Sequence, residues 1–175
     1  MECSYTQAVC NRSLHQHWIP PDIGILKLNL DVSFISKDIA AGIGLVLRDC
    51  LGKDIAAGIG LVLRDCLGVC RAAKFMPSRA TSAEEAEGLV VLQAVLWAKD
   101  MKIPHIIIEG DAHSIIRQLN GDQTTLGWSS QAHLSDVHTL LSSFASVSFR
   151  FTYREANTVA DALASQAKAS TTVAL

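Results

Sequence analysis

Residues 26–34 alternate without a break. Leu26, Leu28, Leu30, Val32 and Phe34 fall on one side, and Lys27, Asn29, Asp31 and Ser33 on the other. Successive side chains of a strand point to opposite faces, so this pattern predicts a strand with one buried and one polar face. Residues 69–76 and 106–109 read as further strands, the latter apolar enough to be buried, and residues 147–153 alternate again. The period changes in residues 81–101. There Leu89, Leu92 and Leu96 form a stripe that Ala86, Val90, Ala94 and Trp97 widen, as in a helix packed on a core. Ser82 with Glu85 three positions on is a capping box that starts this helix. Residues 112–119 predict a short helix, residues 121–127 a loop, and residues 129–144 an amphipathic helix through Leu134, Val137, Leu141 and Phe144. Asn157 reads as the N-cap of a last helix.

Between the first strand and residue 69 the chain repeats itself. Residues 37–52 recur unchanged as residues 53–68, and each copy is a glycine-bearing apolar strand ending in a polar turn. Solenoid arrays need three or more repeats with atypical ends, so two identical copies point to the duplication of one strand. Only one copy can serve as the second strand of a sheet. The second copy is expected there, because it leads directly into the next strand and the long helix. The first copy is then expected to be an excursion between Phe34 and Lys53, where extra length adds little closure entropy. A meander of strands followed by alternating helices and strands predicts an α/β fold, a mixed sheet covered by helices.

Composition narrows the class. The chain has 175 residues and is 49% hydrophobic, which suits one domain with a real core. No apolar run reaches the ~18–20 residues of a membrane span, so no membrane association is expected. Residues 1–17 lack the apolar segment of a secretory signal and read as a loose tail. The domain is expected to span residues 18–169, with residues 170–175 as a C-terminal tail. The five cysteines are odd in number, which fits reduced thiols in an intracellular protein of nucleus or cytoplasm, not a secreted one. Cys66-x-x-x-Cys70 and the six histidines give no ligand cluster. The net charge of −2 argues against nucleic-acid binding through bulk charge. It leaves room for a nuclease whose acidic metal site offsets a local basic surface.

Four carboxylates stand where regular elements end or begin. Asp31 is on the polar face of the first strand, Glu87 in the second turn of the long helix, Asp111 just after a buried strand, and Asp161 near the start of the last helix. Each has an ordinary reading: a solvated strand residue, a helix-dipole partner, an N-cap and a first-turn acid. Together they offer the oxygen ligands that hard divalent cations take. Two such ions about 3.5–4 Å apart can activate water and stabilise the leaving oxygen of a phosphodiester. All-oxygen ligation favours Mg2+ or Mn2+ over Zn2+. Glu84 and Glu85 are assigned to capping and solvent, and Glu109 to the surface.

The stretch from Trp18 to about Ala167 resembles the type 1 ribonuclease H domain, in the version abundant in plant genomes and related to retrotransposon ribonuclease H. The resembling pieces are Trp18-x-Pro20-Pro21-x-x-Gly24-x-x-Lys27-Leu28-Asn29-x-Asp31, the Ala-Gly-Ile-Gly-x-Val-x-Arg-Asp stretch, Ala86-Glu87, Glu109-Gly110-Asp111, and Arg154-x-x-Asn157-x-x-Ala160-Asp161-x-Leu163-Ala164. The resemblance implies a five-stranded mixed sheet of order 3-2-1-4-5 flanked by helices. It implies cleavage of the RNA strand of an RNA–DNA hybrid with two Mg2+ ions, Mn2+ being an alternative, to leave 5′-phosphate and 3′-hydroxyl ends. Asp31, Glu87, Asp111 and Asp161 then correspond to the catalytic, metal-binding carboxylates, and a monomer is expected. Val32 stands where the family usually has glycine, and residues 153–157 lack the histidine found in many members. Arg79, Arg117, Arg150 and Arg154 are candidate phosphate contacts. An active nuclease and a catalytically impaired, nucleic-acid-binding remnant of a retroelement ribonuclease H are both compatible with these residues.

Overall fold

The computed structural model describes residues 18–34 and 56–173. Five strands form one sheet: β1 (Leu26–Phe34), β2 (Ala56–Arg64), β3 (Cys70–Arg79), β4 (His105–Gly110) and β5 (Ser146–Phe151). Their spatial order is β3-β2-β1-β4-β5, as the motifs implied. β1, β2 and β3 pair antiparallel, while β4 pairs parallel to both β1 and β5. The helices are α1 (Ala83–Asp100), α2 (His113–Leu119), α3 (Trp128–Leu140) and α4 (Thr158–Val173). α4 runs past the expected domain boundary at residue 169. No described helix is long and apolar enough to cross a membrane.

β2 is made by the second copy of the repeat. The expected tail at residues 1–17, and the first copy expected as an excursion, lie outside the described residues.

β1 corrects the expectation of one buried face. It is the central strand, and Lys27, Asn29 and Asp31 are as buried as Leu28 and Leu30. Leu28 and Leu30 join Ile59, Leu61 and Leu63 of β2 and Val90, Val91, Ala94 and Val95 of α1 in the main core. The opposite face lies under α4. A Cβ on Gly60 would stand 2.2 Å from the Ala160 carbonyl oxygen and 2.5 Å from the Ala164 nitrogen. Only glycine lets the helix backbone come this close. Gly60 is registered against Asp31, so the two residues face the same helix.

Local signals fix the ends of α1. The Ser82 side chain accepts a hydrogen bond from the Glu85 N–H at 3.1 Å. The Glu85 carboxylate reaches back to the Thr81 N–H at 2.7 Å, one residue earlier than a capping box places it. Glu84, expected to face solvent, instead accepts from the Gly127 N–H at 2.6 Å and so caps α3.

Candidate active site

The strand register brings the first two carboxylates together. Asn29 is paired with Glu109 across the parallel β1–β4 ladder. Two residues further on, Asp31 stands beside Asp111 at the carboxyl end of β4, the end at which open α/β sheets place their sites. The two side chains are hydrogen-bonded to one another. Burial first, then the charges of Asp111 and Asp161, push the Asp31 carboxyl up to about 8, against a smaller pull from Arg154. Asp31 Oδ2 is buried and receives no hydrogen bond among the described residues.

α4 supplies Asp161 from the layer that covers this face, and the Arg154 guanidinium donates to its Oδ1 at 2.8 Å. α1 supplies Glu87 from the opposite layer. Its carboxyl is raised by burial first, then by the charges of Asp111 and Glu84. The four expected carboxylates are therefore linked: Asp31 to Asp111 and Asp161, and Glu87 to Asp111. As the side chains stand, no three of them close around a cation, and the described residues hold no other His, Cys, Asp or Glu group that does. Like charges keep apart without a counter-ion, and Arg154 holds Asp161. The donor chemistry nonetheless fits a hard divalent cation: oxygens only, one of them buried without a partner, among neighbouring negative charges that favour a cation.

Asp111 does not cap α2. Ala112 occupies the N-cap position and makes no side-chain cap. Asn157 precedes α4 as expected, but its side chain does other work. Its amide donates to the Leu30 carbonyl at 2.8 Å, and its Oδ1 has no partner among the described residues. Asn157 thus ties the start of α4, and with it Asp161, to the residue next to Asp31. Val32 points away from Asp31, into a small cluster with Ala80, Ala86 and Phe34.

Glu109, assigned to the surface from sequence, is 7% exposed and anchors a buried network. Its Oε1 pairs with Lys27 Nζ at 3.0 Å and its Oε2 accepts from the Asn29 amide at 2.9 Å. Trp18 Nε1 donates to Asn29 Oδ1 at 2.7 Å, and Lys27 also donates to the Ile19 carbonyl at 2.7 Å. The signal was present in the sequence. Lys27 and Asn29 lie on the face of a strand that turned out to be central, where charges are kept only with partners. Arg154 was also missed as a direct carboxylate partner. Of the other arginines, Arg117 pairs with Asp122 at 2.9 Å and Arg150 is exposed on β5. His113, two residues after Asp111, makes an edge-to-face stack with Phe151 and Tyr153 at 5.1 and 5.2 Å.

Residues 52–167 match the family model described as reverse transcriptase-like. The match contains Glu87, Asp111 and Asp161, and Asp31 precedes it. Similar solved structures include the ribonuclease H1 of the halophilic archaeon Halobacterium salinarum, 25% identical over 82% of this chain and 96% of that one, with a TM-score of 0.66. LC11 ribonuclease H1, isolated from compost and solved in complex with an RNA/DNA hybrid, is 18% identical over 83% of this chain and 98% of its own, with a TM-score of 0.66. The foamy viral protease–reverse transcriptase in complex with RNA/DNA hybrid is 15% identical, over 83% of this chain and 20% of its own, with a TM-score of 0.58. No curated protein sequence matches the chain.

Proposed function

Because the chain belongs to the reverse transcriptase-like family and carries the ribonuclease H-like fold, we propose that it is a metal-dependent endoribonuclease cleaving the RNA strand of RNA–DNA hybrids. The observation that carries this reading is the pairing of buried Asp31, with an orphaned oxygen, and half-buried Asp111 at the end of the central strands. Two of the structural relatives were solved with an RNA/DNA hybrid, which supports the substrate class. Within the family, the Trp18 to Asp31 and Arg154 to Ala164 motifs favour the version found in plant genomes and related to retrotransposon ribonuclease H.

Asp31, Glu87, Asp111 and Asp161 would hold two Mg2+ ions, or Mn2+. Such ions, when bound, activate water and stabilise the leaving oxygen of the phosphodiester. The chain's own residues set up the site. Asp31 and Asp111 bring together carboxyl oxygens whose negative charge a cation would offset. Asn157 fixes α4 against β1, so that Asp161 keeps its place. Discrimination of RNA from DNA would rest on contacts to 2′-hydroxyls across the wide minor groove of the hybrid. Because Val32 is turned into the core, its side chain does not block the face that carries Asp31. The protein would act inside the cell, in nucleus or cytoplasm, as a monomer.

A second reading is favoured by one observation, the undiverged tandem copy beside the strand that bears Asp31. In that reading the chain binds hybrids but no longer cleaves them. Purified protein and its Asp31→Asn variant, incubated with an end-labelled RNA–DNA hybrid in Mg2+, separate the two. The first reading expects RNA-strand cleavage by the unaltered protein alone. Hybrid binding without cleavage would replace it with the second.

A further inference from the structure

β2 is built from a sequence that the chain carries twice. Every side chain that the sheet selects in β2 has a twin in the first copy. Ile43, Leu45 and Leu47 match Ile59, Leu61 and Leu63, which fill the main core. Gly44 matches Gly60, the residue that admits the backbone of α4. Val46 matches Val62 on the same face as Gly60. A strand position selects side chains and register, so it cannot tell one copy from the other.

Only the junctions differ. In the structure described, residues 35–55 join β1 to β2, and residues 65–69 join β2 to β3. With residues 40–48 as the strand, the connections would be residues 35–39 and residues 49–69. The long and the short connection exchange places, and closure entropy depends on the same two lengths in both arrangements. What remains is the β2–β3 turn. The Asp65 N–H donates to the Val69 carbonyl at 3.2 Å, and Asp65 Oδ1 accepts from the Leu67 and Val69 N–H groups at 2.9 and 3.0 Å. Asp65 Oδ2 accepts from Arg71 Nε at 2.7 Å. Asp49 has an equivalent leucine, Leu51, behind it, but it is followed by Lys53 and not by Val69 and the strand bearing Arg71.

We propose that the two copies compete for the β2 position, that the second copy holds it through the Asp65 turn, and that the first can replace it. Asp31 faces a glycine in either state, Gly60 or Gly44, so the carboxylate group is the same in both. Displacement of the second copy from β2 would then cost the chain a turn and not a strand.

Charges placed in each copy of the full chain test this. Leu61 is fully buried, registered against Leu30 in the apolar core. Leu45→Asp is expected to melt like the unaltered protein. Leu61→Asp is expected to remain a monomer with a cooperative, lower-melting transition, and the double variant to show none. Leu61→Asp as disordered as the double variant would overturn the proposal. So would Leu45→Asp as damaging as Leu61→Asp, or folding of Leu61→Asp only as a dimer that exchanges strands between chains. Gly60→Ala repeats the comparison without a buried charge. The proposal expects a smaller loss of Tm than in Gly44→Ala/Gly60→Ala, and equal losses would overturn it.

Discussion

Asp31 stands beside Asp111, which directly follows the neighbouring parallel strand β4, and the two side chains hydrogen-bond to one another. Replacing Asp31 by asparagine keeps the hydrogen bond, because an amide donates to Asp111, and removes one charge from the group. Asp31→Asn is expected to abolish cleavage of a hybrid while raising the metal-free Tm at pH 8. Loss of fold in this variant, seen by circular dichroism, would contradict it.

The same pair makes stability depend on pH. Asp31 titrates at about 8 in the folded protein, and an unfolded aspartate titrates at about 3.9. Below pH ~4 both states are protonated and Asp31 adds nothing to the dependence. From there to pH ~8 the unfolded chain gives up the proton while the folded one keeps it, so metal-free stability falls as pH rises. The full cost is present above pH ~8. Melting curves between pH 5 and pH 8.5 should slope downward, and the slope should flatten in Asp31→Asn. Parallel slopes in the two proteins would show that another group is responsible.

A divalent cation should reverse that cost. Mg2+ in the millimolar range, or less Mn2+, is expected to support cleavage, and excess chelator to stop it. Mg2+ should also raise the Tm of the unaltered protein more than that of Asp31→Asn, because a ligand that binds only the folded state stabilises it. Undiminished cleavage in excess chelator would remove the two-ion mechanism.

Lys27 and Glu109 form a buried ion pair at 3.0 Å with side chains 2% and 10% exposed. Lys27→Met leaves the Glu109 charge buried with the Asn29 amide as its hydrogen-bond donor and Arg64 as the nearby charge. Breaking one side of such a pair costs about 3–5 kcal/mol. Urea denaturation should show a loss of that size for Lys27→Met and a smaller one for Glu109→Gln, which still accepts from Lys27. A loss below about 1 kcal/mol for Lys27→Met would mean that water reaches Glu109.

The alternation of residues 26–34 set the bounds of β1, and Ser82 with Glu85 set the start of α1, because both depend on local periodicity and capping. Asp31, Glu87, Asp111 and Asp161 stand out in the sequence for a similar reason: they are carboxylates near the ends of regular elements, set against apolar neighbours. Burial on both faces of β1 was not legible. It follows from the place of that strand between β2 and β4, which non-local pairing decides. The same placement turned Glu109 from a surface acid into the anchor of Lys27 and Asn29. Asn157 reads locally as a cap, and only the packing of α4 against Gly60 brings its amide to the Leu30 carbonyl. Two identical copies carry identical local information. What separates them is their neighbours: the second copy leads directly into β3, and the turn that joins Asp65 to Val69 and Arg71 is a contact made at the edge of the repeat and not within it.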